Sequence, residues 1–149
     1  VRSVLDLGAG SAILAMAVAK AQPRTSIIAS DIDPVATRTA SANRRLNHIA
    51  PHIMHCVTSK GFEHRKLHQS APYDLLIANI LAGPLKAMAG DIKTHLAPDG
   101  CLILSGLLQS QEPQIISSYR ARGLVVRKKI HIDEWSCLVL THAAYKGVI

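Results

Sequence analysis

The chain has 149 residues, 48% of them hydrophobic, enough for one domain with a real core. No stretch approaches the 18 consecutive apolar residues of a membrane helix and no signal-peptide pattern opens it, so neither a membrane span nor export is expected. A net charge of +7 suits contact with nucleic acid or a ribonucleoprotein, but 3% aromatic residues are too few for a base-stacking platform.

Val4-Leu5-Asp6-Leu7 is a short apolar run suited to a buried strand. Gly8-Ala9-Gly10 breaks it, and an Ala-rich helical segment then runs to about Ala21. Strand, glycine turn and helix together aim backbone N–H groups and a helix N-terminus at a ligand. Gly8 permits the sharp turn and Gly10 a close approach of the backbone. The dinucleotide fingerprint needs a glycine where Ile13 stands. The form D-x-G-x-G, with Asp6 leading, is similar instead to that of S-adenosylmethionine methyltransferases. Because the chain starts at Val1 with this strand almost at once, further sequence upstream is expected.

Thr25 to Ser30 reads as the second strand, ending in Asp31-Ile32-Asp33-Pro34. Asp31 follows Gly8 by roughly twenty residues, the spacing at which a βαβ unit places the acid for a ribose diol. Asp33 reads as the N-cap of a helix that starts at Pro34 and runs to about Asn47, with Val35, Ala36, Ala40 and Leu46 inward. Ile53 to Val57 is a third strand, and Thr58 to Ser70 a basic loop with one helical turn. Tyr73 to Ala78 suits a central parallel strand and delivers Asn79-Ile80-Leu81-Ala82 at its end. Gly83-Pro84 opens a helix to about Leu96, stopped by Pro98-Asp99-Gly100. Cys101 to Ser105 is the fifth strand. Ser110 is predicted to cap the next helix, with Glu112 in its first turn and Gly123 just past its end. Leu124 to His131 and Trp135 to Thr141 form an antiparallel hairpin, and 143–149 a tail.

Three cysteines, Cys56, Cys101 and Cys137, have no metal spacing and read as buried thiols of a reducing compartment. His48, His52 and His55 straddle Pro51 with no completing carboxylate, so no metal is expected. The pattern predicts an α/β fold: a Rossmann-like, mostly parallel seven-stranded sheet, helices on both faces, and an antiparallel C-terminal hairpin. In such sheets ligands sit beyond the carboxyl ends of the strands. Gly8, Asp31, Asn79 and Ser105 all fall there.

Leu5-Asp6-Leu7-Gly8-Ala9-Gly10-Ser11, Asp31-Ile32-Asp33-Pro34, Ala78-Asn79-Ile80-Leu81-Ala82 and Leu104-Ser105-Gly106-Leu107 together resemble the PrmA-type methyltransferases of large-subunit ribosomal protein L-eleven. Glu134-Trp135 before the last strand looks like that family too, and the resemblance covers residues 1–142. It implies methyl transfer from S-adenosylmethionine to amino groups of that ribosomal protein in the bacterial cytoplasm, leaving S-adenosylhomocysteine. By the same resemblance Gly8, Asp31 and Asn79 correspond to cofactor-contacting positions, and Gly10 joins them through its place in the turn; from the reaction itself, Asn79 is expected to orient the acceptor amine, with the Ile80 carbonyl assisting. Two departures stand out: Ala12 replaces a usual glycine, where a single methyl is expected still to fit, the alternative being that it crowds the methionine end of the cofactor, and the family's N-terminal substrate-recognition domain, with a threonine-bearing segment before the first strand, is absent from this chain. Trp135 is expected in the core. Competing readings are a methyltransferase of rRNA or tRNA with ribosome contact, favoured by the charge; an inactive cofactor-fold binding module; and a nicotinamide-dependent oxidoreductase, opposed by Ile13.

Overall fold

Alternation along the strands sorts the core into two layers. In this computed structural model, which describes residues 1–147, Leu5 and Leu7 of the first strand, β1 (Ser3–Leu7), face one side of the sheet and Val4 the other. The last two positions of the expected tail lie outside the described residues. On one face α1 (Ile13–Ala21) and α2 (Pro34–Leu46) bury Ala12, Ala15, Ala19 and Ala40 against Val4, Ile27 and Met54. The other face is covered by α3 (Arg65–Gln69), α4 (Ala82–Ala87), α5 (Ala89–His95) and α6 (Glu112–Arg120), whose Leu67, Leu85, Ile92, Ile115 and Tyr119 pack on Leu5, Ile28, Leu76, Leu102 and Leu104. Each fully buried leucine contributes about 1.5–3 kcal/mol.

The remaining strands are β2 (Ser26–Asp31), β3 (Met54–Thr58), β4 (Tyr73–Asn79), β5 (Leu96–Leu108), β6 (Leu124–Ile132) and β7 (Trp135–His142). They lie in the order β3-β2-β1-β4-β5-β7-β6. The first five are mutually parallel, and β7 runs antiparallel between β5 and β6. The predicted sheet is therefore the observed one. Its order departs in opposite directions from β1 and β4, which makes the space above these two strands the switch point.

Local departures from the sequence reading have identifiable causes. The single helix expected from Gly83 to Leu96 is two helices meeting at Met88. Buried Ala82, Leu85, Ala89 and Ile92 keep helical spacing across the break, so periodicity carried no sign of it. Leu96 already belongs to β5 and pairs with Tyr73. In α2, Val35 and Leu46 are exposed, and buried Thr37 sits inward instead, its hydroxyl 2.6 Å from that of Thr58. Ser110 does not cap α6; it lies in a 3-10 turn (Gln109–Gln111), and the Gln111 side chain accepts the Leu108 N–H at 3.0 Å. No helix of the described residues is long and apolar enough to cross a membrane.

Candidate functional site

Parallel pairing brings the predicted residues to one end of the sheet. Leu7 lies beside Ser30 on one side and Ala78 on the other, so the chain leaves β1, β2 and β4 at the same level. Asn79 in turn pairs with Ser105. The Gly8 and Ala9 N–H groups both donate to the Ser30 carbonyl, at 2.7 and 2.9 Å, which folds the glycine loop over the end of β2. Gly8 has φ +73°, and a Cβ there would overlap Ile80 Cγ2. Only glycine lets the β1 loop and the β4 end touch.

Asp31 closes the other flank. One carboxylate oxygen accepts the Gly10 N–H at 2.8 Å and the other the Asp33 N–H at 2.9 Å. These bonds leave further lone pairs on both oxygens for a hydroxyl pair. The acid is half-buried, at the mouth of the loop. Asp33 behaves as the predicted cap, accepting the Val35 N–H at 2.8 Å with Pro34 opening the helix. Of the two aspartates, Asp33 therefore caps the helix, and Asp31 ties the glycine loop to the start of the next turn. Nothing lies within 4 Å of where a Gly10 Cβ would be, so that side of the loop is open.

Ala12 is the position where a third glycine was expected, and its backbone shows why: it takes φ +63°, the left-handed region. Ala12 is fully buried and packs in the α1 layer with Val4 and Ala15.

Two residues that stood in quoted motifs, but to which the sequence reading gave no role, shape the site. Asp6 is 1% exposed, and its carboxylate accepts the Ala15 N–H at 3.0 Å, capping α1 from within β1. Burial is the main cause that pushes its pKa up to about 6; the Ala15 N–H opposes the rise and Asp31 adds to it. Gly106, at φ +74°, sits in a β-bulge where β5 has one residue more than β7 between Leu104 and Leu107. A Cβ there would lie 2.9 Å from Asn79 Oδ1 and 3.1 Å from the Ile80 carbonyl oxygen. The bulge glycine therefore makes room for two acceptor oxygens side by side.

Asn79 and Ile80 line a cavity of about 450 Å³ together with Leu81, Ser105, Gly106 and Trp135. Asn79 is exposed, and among the described residues nothing hydrogen-bonds its amide. Trp135 is not a core residue as expected; it is 50% exposed on the cavity wall. Roomier concavities exist, one of about 710 Å³ between α4 and α6 and one of about 560 Å³ around Arg2, Asp74 and Thr141. Neither lies over the carboxyl ends of the parallel strands, where this fold class binds its ligands.

Comparison with known proteins agrees with this geometry. Residues 1–143 match the family model described as ribosomal protein L11 methyltransferase (PrmA). A ribosomal protein L11 methyltransferase of Brucella abortus (strain S19) is 45% identical over 139 residues, covering 93% of this chain and 48% of the relative. That of Bradyrhizobium diazoefficiens is 46% identical over 138 residues, covering 93% and 46%. The chain thus spans about half the length of the curated relatives it matches. Among solved structures, a ribosomal protein L11 methylase from Lactobacillus delbrueckii subsp. bulgaricus superimposes with a TM-score of 0.84 at 28% identity, over 94% of this chain and 69% of that one. Aeropyrum pernix fibrillarin, crystallised with natively bound S-adenosyl-L-methionine, shares the fold at a TM-score of 0.79 and 15% identity, over 94% of this chain and 66% of its own. With its motifs, sheet order and nearly full-length match, the chain belongs to the ribosomal protein L11 methyltransferase (PrmA) family.

Proposed function

We propose that residues 1–142 are the S-adenosylmethionine-binding domain of an enzyme that methylates amino groups of ribosomal protein L11 in the cytoplasm. The observation that carries this reading is the convergence of Gly8, Gly10 and Asp31 with the cavity of Asn79. The residues fit the cofactor: a bare glycine loop for its methionine part, and a carboxylate with spare lone pairs for its ribose hydroxyls. S-adenosylmethionine, when bound there, supplies a sulfonium methyl that is already activated for transfer.

What the chain must do is present a neutral amine in line. A free lysine ammonium has a pKa of about 10.4 and an α-ammonium about 7.7–8.0, so the charged form has to be disfavoured. The cavity carries no ionisable side chain, and its apolar Ile80, Leu81 and Trp135 walls disfavour the charged form of an entering amine. Asn79 Oδ1 and the Ile80 carbonyl accept its N–H groups and turn the lone pair toward the methyl. Asn79 is the catalytic residue in this reading. It binds and orients, and no general base is needed.

The test has two arms. Calorimetry is expected to show binding of S-adenosylmethionine and none of NAD, and Asp31→Ala to weaken the former by about 1–3 kcal/mol, the cost of losing charge-assisted hydrogen bonds. Labelled methyl transfer is expected to appear on ribosomal protein L11. Label on rRNA or tRNA instead would reassign the acceptor, and absence of cofactor binding would leave only a binding module.

A further inference from the structure

Glu112 is the only acid among the described residues that gathers three partners, and sequence reasoning had given it nothing more than the first turn of a helix. Its side chain, 8% exposed, accepts from Lys129 Nζ at 2.6 Å, from Ser136 Oγ at 2.7 Å and from His131 Nε2. These come from three elements: Glu112 opens α6, Lys129 and His131 lie on β6, and Ser136 on β7. A bulge makes the convergence possible. Two residues of β6 oppose one of β7 between Val126 and Lys128, so the inward side changes from even to odd positions. Lys129 and His131 thereby face α6, and His131 stands directly opposite Ser136.

Successive side chains on a strand point to opposite faces. Holding Ser136 toward α6 therefore commits its neighbour Trp135 to the other side, where it walls the cavity of Asn79. A half-exposed indole would otherwise gain by turning inward, since burying a large apolar side chain is favourable. The hairpin tip is fastened as well: Gln109 donates its N–H to the Glu134 carbonyl at 2.9 Å and its side-chain amide to the Asp133 carbonyl at 2.7 Å. A rotation or one-residue slip of β7 would break these bonds and place Ser136 beside the cavity.

We propose that Glu112 is a positioning residue for the acceptor: through Ser136 it holds Trp135 as the wall against which the acceptor segment rests opposite Asn79. The inference rests on the reading of that cavity as the amine site, and deepens it by naming what shapes its far side. Trp135 is the single tryptophan of these 149 residues, so emission from this domain reports on the wall.

The experiment compares Glu112→Ala, Ser136→Ala and Glu112→Gln with the unaltered protein as the cell makes it. Acrylamide quenching of tryptophan emission, KM for ribosomal protein L11 and Kd for S-adenosylmethionine are measured for each. Both alanine variants are expected to make the indole more quenchable and to raise KM on the order of tenfold, the scale of a misplaced contact surface, while Kd stays within about twofold. Glu112→Gln, whose amide oxygen still accepts the Ser136 hydroxyl, is expected to recover most of the KM. Ser136→Ala leaves the Lys129 and His131 contacts in place, so it keeps the test open should Glu112→Ala not fold. An unchanged KM in Ser136→Ala, whatever happens to Tm or emission, overturns the proposal. Failure of the unaltered protein to bind S-adenosylmethionine would sink the reading of the site itself, a result that these variants do not produce.

Discussion

At the scale of single residues, the site depends on groups whose environment was invisible in one dimension. Asp6 ionises less readily in the folded chain than in the unfolded one, so its contribution favours folding at low pH. That contribution is full below pH 3.8 and is lost as pH rises through about 6. The difference is of the order of 3 kcal/mol. Asp6→Asn keeps an oxygen for the Ala15 N–H and removes the titration, so urea unfolding is expected to lose this pH slope between about pH 4 and 6. A slope equal to the unaltered protein's would exonerate Asp6. Gly106→Ala combines a left-handed backbone with a 2.9 Å approach to Asn79 Oδ1. It is expected to lower methyl-transfer kcat by roughly 10²-fold, since displacing a positioning group by about 1 Å costs that much. Binding of S-adenosylmethionine should be far less affected. A variant with full kcat would remove the Asn79 amide from the mechanism. Gly8, Asp31 and Asn79 were legible as candidate site residues because each ends an apolar run at the carboxyl edge of the sheet. Gly106 stood in a recognised motif, but nothing in its neighbours indicated a bulge.

At the scale of elements, the strands and helices with strong patterns came through intact, and the failures fall where tertiary contact outweighs local preference. Val35 and Leu46 of α2 are apolar yet exposed, and Thr37 is inside because Thr58 of β3 offers it a partner. The α6–β6–β7 junction is the strongest case. Burial by itself would raise the Glu112 carboxyl, but Lys129, Ser136 and His131 together hold its pKa down at about 2. Here the sign is the reverse of that at Asp6: a depressed acid stabilises the fold above its ordinary pKa of 4.5, and the contribution fades as pH falls toward 2. Glu112→Ala is expected to cost about 1–3 kcal/mol near pH 7 by leaving the buried Ser136 hydroxyl, and the Lys129 and His131 donors, without their acceptor. The deficit should shrink in acid, where the carboxylate is itself protonated. Guanidinium unfolding at neutral pH and near pH 2 would decide this, and an equal deficit at both would show a packing effect only.

For the whole molecule, the proposed function makes stability a report on ligand binding. A compound that binds only the folded chain raises its stability with concentration, by about 2.7 kcal/mol at a hundredfold excess over Kd. Thermal unfolding is expected to shift upward with S-adenosylmethionine and not with NAD; a shift with NAD alone would restore the oxidoreductase reading. By itself the sequence determined the layered α/β class, the strand at each motif and the identity of the loop glycines and acids, because these follow from hydrophobic period and from backbone conformations that few residues tolerate. Only the tertiary structure decided that Asp6 is a buried cap, that β5 and β6 bulge, and that Trp135 faces a cavity while Glu112 anchors its neighbour. Those outcomes depend on which residues lie across the sheet from one another, and a one-residue shift in register, to which the linear pattern is nearly blind, exchanges the two faces of a strand.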